Sequence, residues 1–335
     1  MRRIAAGLIV IMSVLLVSCK GKTGNTITVG SDKLDNTQSY FSESMHKAAR
    51  CDSGYYYLDK CGASADNLMF YDDKSEESIV LCNKPQCGHD GEECMAYISG
   101  SEFKSELYYY NSYIYMISSK GNLVRISADG TQRTDLGSIC VLSGQDSVSM
   151  CFNDGYAYVS QEITGDIEGN VTVRLHRFNL DTGLSDKIYE ETGYGIGINS
   201  LKTYGSDTFF LKTSVSKDDK GLYSLEGKGI FRITGENTEC LLDKNVYSYC
   251  IDADNNKLYY SGLGDGTIYE YDLGSGKSES IYKSDNDTGY FYITFDGNYI
   301  WMDDEGYKSM AMYFNKQSSS LDYTIYQLGL DGKLI

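Results

Sequence analysis

One pattern recurs six times along this chain and constrains its fold more than any other feature. A turn residue is followed four residues later by an aromatic side chain. The six occurrences are Asp52 with Tyr56, Asn111 with Tyr115, Asp154 with Tyr158, Ser206 with Phe210, Asn256 with Tyr260, and Gly297 with Trp301. The successive intervals are 59, 43, 52, 50 and 41 residues. Repeats of about 40–50 residues made of short strands are typical of propeller blades.

The copy at residues 247–282 shows the repeating unit most clearly. Strands are predicted at 247–251, 258–261, 267–272 and 277–282, separated by turns rich in Gly, Asp and Asn. The 31 Tyr and 35 Gly of the chain suit many short strands joined by tight turns. A four-stranded sheet cannot bury both faces alone, whereas six packed radially can. The sequence therefore predicts an all-β, six-bladed β-propeller with four-stranded antiparallel blades.

Two copies also resemble a known family. Leu258-Tyr-Tyr followed by Ile268-Tyr-Glu-Tyr-Asp-Leu-Gly is similar to a blade of the low-density-lipoprotein-receptor (YWTD-like) six-bladed propeller, and so is Tyr113-Ile-Tyr followed by Leu123-Val-Arg-Ile-Ser-Ala-Asp-Gly. The aromatic strands lack the Trp-Thr-Asp ending of that family. The chain also resembles bacterial lipoproteins of uncharacterised function built on such a propeller. The resemblance implies an architecture for residues 46–335 and assigns no chemistry.

The N-terminus has the features of an export signal. Arg2 and Arg3 precede an apolar run at residues 4–17, which is shorter than the roughly 20 residues of a membrane-spanning helix. The run ends in Leu-Val-Ser-Cys19, which resembles the lipobox of bacterial lipoproteins. The resemblance implies a lipoprotein signal peptide at 1–18, and a lipid anchor (diacylglycerol and palmitate) on Cys19. The expected location is the extracytoplasmic face of a bacterial cell membrane.

Residues 19–45 are polar and are predicted to be a tether between the lipid anchor and the propeller at 46–335. The alternating segment at 26–29 is the exception. The sixth copy reaches 331–335 where its outer strand is expected to begin. Closure of the ring by residues 26–29 is slightly favoured, and truncation of the chain is the alternative.

Charge excludes one class of partner. The formal net charge is −17, and an acidic surface repels nucleic acid. The expected partners are the membrane, through the lipid anchor, and a protein, peptide or glycan ligand.

The densest group of reactive side chains is the cysteine cluster, which we define as Cys82, Cys87, His89 and Cys94, in an inter-blade loop at 82–94. Three thiolates and one imidazole are a ligand set for a structural zinc ion. Their spacing differs from the common finger spacings, and disulfides are the rival interpretation for an exported chain. No other cofactor is predicted.

Six further cysteines are candidate disulfide partners if the cluster binds metal. They fall into three pairs of sequence neighbours: Cys51 and Cys61, Cys140 and Cys151, and Cys240 and Cys250.

The sequence contains no recognised catalytic motif. The three His are His46, His89 and His176, and neither a nucleophile elbow nor a phosphate-binding loop occurs in the sequence. We therefore expect a non-catalytic binding or scaffold lipoprotein. The alternative is an extracellular enzyme that acts on glycans or peptides through carboxylates in the axial funnel, and a purely structural envelope spacer is the third hypothesis. Insertions at 162–170, 214–229 and 303–320 are candidate functional loops.

Overall fold

The computed structural model describes residues 48–335, except 101, 104–106, 144–145, 166–168, 205–206, 218, 222, 236, 286–290 and 305–323. The predicted signal peptide, Cys19, the tether, His46 and the candidate closing strand at 26–29 lie outside the described residues. Within the described ranges, no helix is long and apolar enough to cross a membrane. All regular elements there are β-strands.

The strands form six antiparallel sheets in chain order. The first contains β1 (Ala48–Cys51), β2 (Gly54–Lys60), β3 (Ala65–Asp72) and β4 (Glu77–Val80), with β5 (Tyr97–Ser99) also paired to β3. The second contains β6 (Tyr108–Tyr110), β7 (Tyr113–Ile117), β8 (Asn122–Ser127) and β9 (Arg133–Ser138). The third contains β10 (Ser147–Asn153), β11 (Tyr156–Thr164), β12 (Asn170–Asn179) and β13 (Ser185–Tyr194).

The second half of the chain repeats the arrangement. The fourth sheet contains β14 (Gly197–Tyr204), β15 (Asp207–Lys217), β16 (Tyr223–Thr234) and β17 (Asn237–Leu242). The fifth contains β18 (Val246–Asp252), β19 (Lys257–Gly262), β20 (Thr267–Asp272) and β21 (Lys277–Lys283). The sixth contains β22 (Tyr292–Phe295), β23 (Tyr299–Asp303) and β24 (Ile325–Gly329), and Leu334 makes an isolated bridge to Leu328 beyond β24.

The predicted aromatic repeat marks the second strand of every sheet. Its six aromatics lie on β2, β7, β11, β15, β19 and β23. The preceding turns explain the pattern, because Asn111, Asp154 and Asn256 adopt φ values of 46°, 46° and 54°. Asn and Asp tolerate this left-handed conformation better than other non-glycine residues. The prediction of an all-β chain with four-stranded antiparallel sheets is confirmed.

Hydrophobic cores lie between successive sheets. Side chains that alternate between the two faces of each strand form these cores. Phe209 belongs to the core shared by the fourth and fifth sheets, while its neighbour Phe210 belongs to the core shared by the third and fourth. Tyr260 and Tyr259 divide in the same way between the two faces of the fifth sheet. Successive side chains of a strand point to opposite faces, so each sheet contributes to two cores. This is the packing expected of propeller blades.

Two of the three predicted insertion loops are longer hairpins. The segment at 162–170 extends β11 and β12, with Thr164 opposite Val171. The segment at 214–229 extends β15 and β16, with Lys217 opposite Tyr223. The third insertion begins at Asp303, the last residue of β23, and most of it lies outside the described residues.

Candidate functional site

The cysteine cluster occupies a loop that interrupts the outer edge of the first sheet. β4 and β5 both pair with β3, and the loop leaves this edge opposite Leu68. The Leu68 N–H donates to Ala96 O at 2.8 Å, and the Leu81 N–H donates to Leu68 O at 2.9 Å. The sequence placed the cluster on a connection that leads to the second blade. It is instead an excursion between two strands of one sheet.

Two reverse turns deliver Cys87 and Cys94. The Cys87 N–H donates to Lys84 O at 3.3 Å, and the Cys94 N–H donates to Gly91 O at 2.9 Å. In the first turn, Pro85 is followed by Gln86 with a φ of 58°. Proline at the second position and a positive φ at the third are the pattern of a type II turn. The only Pro of the chain therefore helps to position a cluster residue.

The four ligand atoms of the cysteine cluster converge. The three Sγ atoms and a ring nitrogen of His89 all lie within 4.8 Å of one another, and His89 Nδ1 lies 3.3 Å from Cys94 Sγ. Cys94 is buried, and the other three members are half-buried. These four residues can hold a metal ion.

The local environment shifts the pKa values of two of the thiols in opposite directions. Burial raises the pKa of Cys94 to about 12. Burial acts in the same direction on Cys82, but N–H groups of Lys84 and Met95 and the thiols of Cys94 and Cys87 donate to its sulfur, and its pKa falls below the usual value. The surroundings of Cys82 thus favour the thiolate form of this residue.

The other six described cysteines are not brought together in the predicted pairs. Cys140 lies in the core between the second and third sheets, whereas Cys151 faces the core between the third and fourth. Cys250 faces the sixth sheet, while Cys240 lies on β17 of the fourth sheet. None of the nine cysteines that the structure describes forms a disulfide. Bonds between these sequence neighbours do not fit this arrangement.

The same conclusion holds for Cys51 and Cys61. Cys51 pairs with Gly54 at the turn that joins β1 and β2, while Cys61 follows the far end of β2. At about 3.3 Å per residue, seven residues of strand separate them by about 23 Å. A disulfide needs Cα atoms less than about 7 Å apart.

A second candidate site lies between the fourth and fifth sheets. It is a partly open pocket of about 220 Å³ near the start of β18. Its lining residues are Asn199, Ser200, Leu211, Thr213, Leu225, Val246, Tyr247, Leu263 and Tyr292. They combine amide and hydroxyl groups with two tyrosines, whose rings lie 4.9 Å apart at an angle of 42°. None of these nine side chains is an acid or a base at neutral pH.

A carboxyl group lies beside this pocket. Asn199 Nδ2 donates to Thr213 Oγ1 at 3.1 Å. A Cβ on the neighbouring Gly197 would meet Thr213 Oγ1 at 2.8 Å and Glu162 Oε1 at 2.9 Å. The absence of a side chain at Gly197 therefore lets Glu162 lie close to Thr213, one of the residues that line the pocket.

Glu162 is held by two hydrogen bonds. Its Oε1 accepts from the Ile198 N–H at 3.1 Å, and its Oε2 accepts from Ser147 Oγ at 3.2 Å. Burial raises the pKa of Glu162 above its usual value, although both hydrogen bonds act in the opposite direction. Among the many acids of this chain, a half-buried carboxyl with a raised pKa beside a pocket is a candidate acid–base group.

The sequence did not identify the pocket residues. Glu162 was marked only as the first residue of an insertion, and Thr213 lies directly before another. Nothing in the spacing of Asn199, Tyr247 and Tyr292 signals that three different strands meet there. The extended hairpins were the only signal that pointed to this part of the fold.

A buried polar network lies in the third sheet, beside His176 of β12. Gln161 Nε2 donates to Asp146 Oδ2 at 2.8 Å and to Val141 O at 2.8 Å. His176 Nε2 lies 3.2 Å from Gln161 Oε1. Burial, together with the positive charges of Arg174 and Lys187, lowers the pKa of His176 to about 4. At neutral pH the imidazole is therefore uncharged.

Comparisons with known proteins show the fold. No protein-family model matches the chain, and neither does a curated protein. The solved structures that resemble it include an oligogalacturonate lyase in complex with manganese, with a TM-score of 0.52, 11% identity, and coverage of 93% of this chain and 82% of that one.

Two further similar structures were found. One is a nidogen/laminin complex, with a TM-score of 0.42, 10% identity, and coverage of 82% of this chain and 90% of that one. The other is a luciferin-regenerating enzyme, with a TM-score of 0.39, 11% identity, and coverage of 65% of this chain and 68% of that one.

The likeness to the lyase corrects the functional prediction. We expected a non-catalytic binding or scaffold protein because the sequence of this scaffold lacks a recognised catalytic motif. The lyase is an enzyme on a similar fold, at only 11% identity. The lack of a familiar catalytic motif on a scaffold of this kind is therefore no reason to exclude catalysis. The prediction of a non-enzyme is wrong. The enzymatic alternative is better supported.

Proposed function

We propose that this chain is an extracytoplasmic enzyme that acts on a polysaccharide. The observation that carries the proposal is the pocket beside Glu162. Sugars present hydroxyl groups together with apolar ring faces, and they need hydrogen-bonding partners and flat aromatic surfaces. Asn199 and Thr213 supply the hydrogen-bonding groups, and Tyr247 and Tyr292 supply the aromatic surfaces.

Glu162 is the proposed acid–base group. Because burial raises its pKa, the carboxyl retains a proton to higher pH than an exposed glutamate does. A protonated carboxyl beside a bound sugar can donate to the oxygen of a leaving group, as a general acid. The Ile198 N–H and Ser147 Oγ hold its two oxygens in place.

Charge favours a neutral glycan. The pocket-lining side chains are uncharged, and the net charge of −17 repels polyanions. The name of the similar lyase gives oligogalacturonate as its substrate, and that acidic polymer is the second substrate to test.

The proposed setting is the outer face of a bacterial cell membrane. The basic residues, the apolar run and Cys19 support a lipid anchor on Cys19, with residues 20–45 as the tether. The six described sheets and the cores between neighbouring sheets support a six-bladed ring. The proposed partners are therefore the membrane, through the anchor, and a surface glycan.

The experiment compares Glu162→Gln with a matched control. The purified exported chain is incubated with neutral polysaccharides and with oligogalacturonate, and new reducing ends and unsaturated products are measured. Glu162→Gln should lower turnover by about 10²–10⁴-fold. Glu279→Gln, which changes an exposed glutamate on β21, should leave it unchanged. Equal turnover in both variants, or no turnover of any glycan by the wild type, would refute the proposal.

A metal ion in the cysteine cluster belongs to the scaffold in this proposal. The cluster lies on the first sheet, whereas the pocket lies between the fourth and fifth. We assign it no part in the reaction.

A further inference from the structure

We propose that the cysteine cluster is a closed tetrahedral zinc site that fastens the first sheet to the second. This proposal is independent of the glycan pocket, because it rests on different residues of a different part of the fold. It concerns a second site, with a metal ion as the ligand.

The donor set selects the metal. Thiolate sulfur is a soft ligand that favours Zn²⁺, Cu⁺ and iron–sulfur clusters over Mg²⁺, Ca²⁺ and Mn²⁺. Three sulfurs and one imidazole nitrogen are an established set for structural zinc, whereas iron–sulfur clusters are commonly held by four cysteines. Four protein ligands fill the tetrahedral coordination of zinc, and no position is left for water or substrate.

The geometry fits an ion of this size. With Zn–S bonds of about 2.3 Å, the sulfurs of a tetrahedral site lie about 3.8 Å apart. The ligand atoms here all lie within 4.8 Å of one another, and the His89–Cys94 pair is already at 3.3 Å. Small rotations of the side chains would complete the tetrahedron without a movement of the backbone.

The loop backbone is shaped for this convergence. Gln86 and His89 have φ values of 58° and 57°, a conformation that non-glycine residues seldom adopt. Such residues persist where the surrounding structure holds them, and they concentrate at ligand sites. Here they turn the chain so that Cys87 and His89, two residues apart, both reach the same point.

The site also lies on the seam between two sheets. Cys94 is 2% exposed and shares a core with Ile114 and Met116 of the second sheet. On the loop's other flank, the Asn83 N–H donates to Gly130 O, in the turn between β8 and β9, at 3.4 Å. A metal ion bound to Cys82 and Cys94 would therefore join both flanks of the loop where they touch the second sheet.

Disulfide chemistry explains the cluster less well. Three thiols can form one bond, which leaves one thiol and the imidazole without a role. None of the three sulfurs is in a disulfide, and His89 Nδ1 lies 3.3 Å from Cys94 Sγ. A ligand that uses all four groups accounts for their convergence.

The test uses the exported chain purified without oxidant or chelator. Zinc is counted per chain, and Co²⁺ replaces it to report the coordination by absorption. We expect one ion per chain, with Co²⁺ bands of a tetrahedral site and thiolate charge transfer. Cys87→Ser should weaken zinc affinity by more than about 100-fold, since loss of even an outer-shell partner costs about 10–100-fold.

Two variants control for folding and for general thiol loss. His89→Cys replaces the imidazole with a fourth thiolate, which is also an established zinc ligand set, and should retain the metal. Cys61→Ser removes a half-buried cysteine outside the cluster and should bind as tightly as the wild type. The proposal is overturned if the reduced wild type binds no zinc, if mass spectrometry finds Cys87 bonded to Cys82 or Cys94 in the purified chain, or if Cys61→Ser loses zinc as readily as Cys87→Ser.

Discussion

The carbonyl oxygen of Leu81 lies 2.6 Å from the position that a Cβ atom would occupy on Gly130. Leu81 begins the cysteine loop of the first sheet, and Gly130 lies in the turn between β8 and β9 of the second. The contact recurs around the fold, because Gly183 meets Leu136 O and Gly332 meets Ile281 O in the same way. Glycine in this turn lets the second, third and sixth sheets approach the outer edge of the sheet that precedes each of them.

Gly130→Ala should therefore push apart the first and second sheets where Gly130 contacts Leu81. Gly130 has a φ of 67°, so the new side chain would be strained and would also collide with Leu81 O. We expect a loss of about 2–4 kcal/mol of stability from overpacking and backbone strain together. Because the loop would move, zinc affinity should fall as well, although Gly130 is not a ligand. Urea unfolding and zinc titration measure the two effects.

Gly276→Ala is the matched control for that substitution. Gly276 occupies the corresponding turn of the fifth sheet with a φ of 68°, and its Cβ would meet only Tyr271 Oη at 3.6 Å. The Gly276→Ala variant should lose about 1–2 kcal/mol of stability from backbone strain alone, and it should still bind the metal ion. Equal zinc affinity in the two alanine variants would contradict the coupling between the seam and the site.

Gly197→Ala tests whether the close approach of Glu162 and Thr213 is needed for turnover. The added methyl group would meet Thr213 Oγ1 and Glu162 Oε1 at under 3 Å, so the two groups must separate. We expect glycan turnover to fall at least tenfold, with no change in zinc content, because the cysteine loop is on another sheet. Turnover assays and metal analysis on the same preparation check both parts. Gly62→Ala is the control, because a Cβ there meets nothing within 4 Å and Gly62, like Gly197, has no positive φ.

The sequence predicted the scaffold better than the sites. The period of the aromatic residues located the second strand of each sheet, because turn residues such as Asn111 and Asn256 leave a local signature. The cysteine cluster was also visible, since its members are close in sequence. The pocket was not, because Glu162, Asn199 and Tyr292 come together only through the packing of three sheets.

The cysteine pairs fail for a related reason. Sequence separation of about ten residues suggested neighbouring strands, and Cys240 and Cys250 do lie on the successive strands β17 and β18, whereas Cys140 lies beyond the end of β9. Separation says nothing about which face of a strand a side chain occupies, however. Met150 and Phe152 face the second sheet, so Cys151 must face the fourth.

The burial of these thiols predicts their order of alkylation. Burial raises the pKa of Cys151 and of Cys250 to about 12, so the reactive thiolate is scarce there. Cys61 and Cys240 are half-buried. With iodoacetamide near neutral pH, Cys61 and Cys240 should be labelled first, and Cys151 and Cys250 only after unfolding. Peptide mass spectrometry reads each site, and early labelling of Cys151 would show that its core is not closed.

His176 should make the protein less stable in mild acid. Its pKa is lowered to about 4 in the folded chain, against an ordinary value of about 6.5, because burial and the nearby Arg174 and Lys187 disfavour its charge. The neutral imidazole can donate from Nε2 to Gln161 Oε1 at 3.2 Å, and Glu190, the acidic group nearby, is already paired with Arg174 and Lys187.

The direction of this pH dependence follows from the protons bound by the folded and unfolded chains. Between about pH 6.5 and pH 4 the unfolded chain binds a proton at His176 and the folded chain does not, so stability is present above this window and falls as the pH falls through it. We expect a loss of about 1–2 kcal/mol, less than the full shift would give, because the ring is partly open to solvent screening.

His176→Gln should remove that slope, since an amide can keep the hydrogen bond but does not titrate. Urea unfolding, followed by the fluorescence of Trp301, the only tryptophan, gives the stability at each pH. The difference between wild type and variant at each pH cancels the titration of other groups, including the metal ligands. His46→Gln, at the predicted boundary between the tether and the propeller, should retain the wild-type slope. A constant difference from pH 7 to pH 4 would show that His176 titrates alike in the folded and unfolded chains.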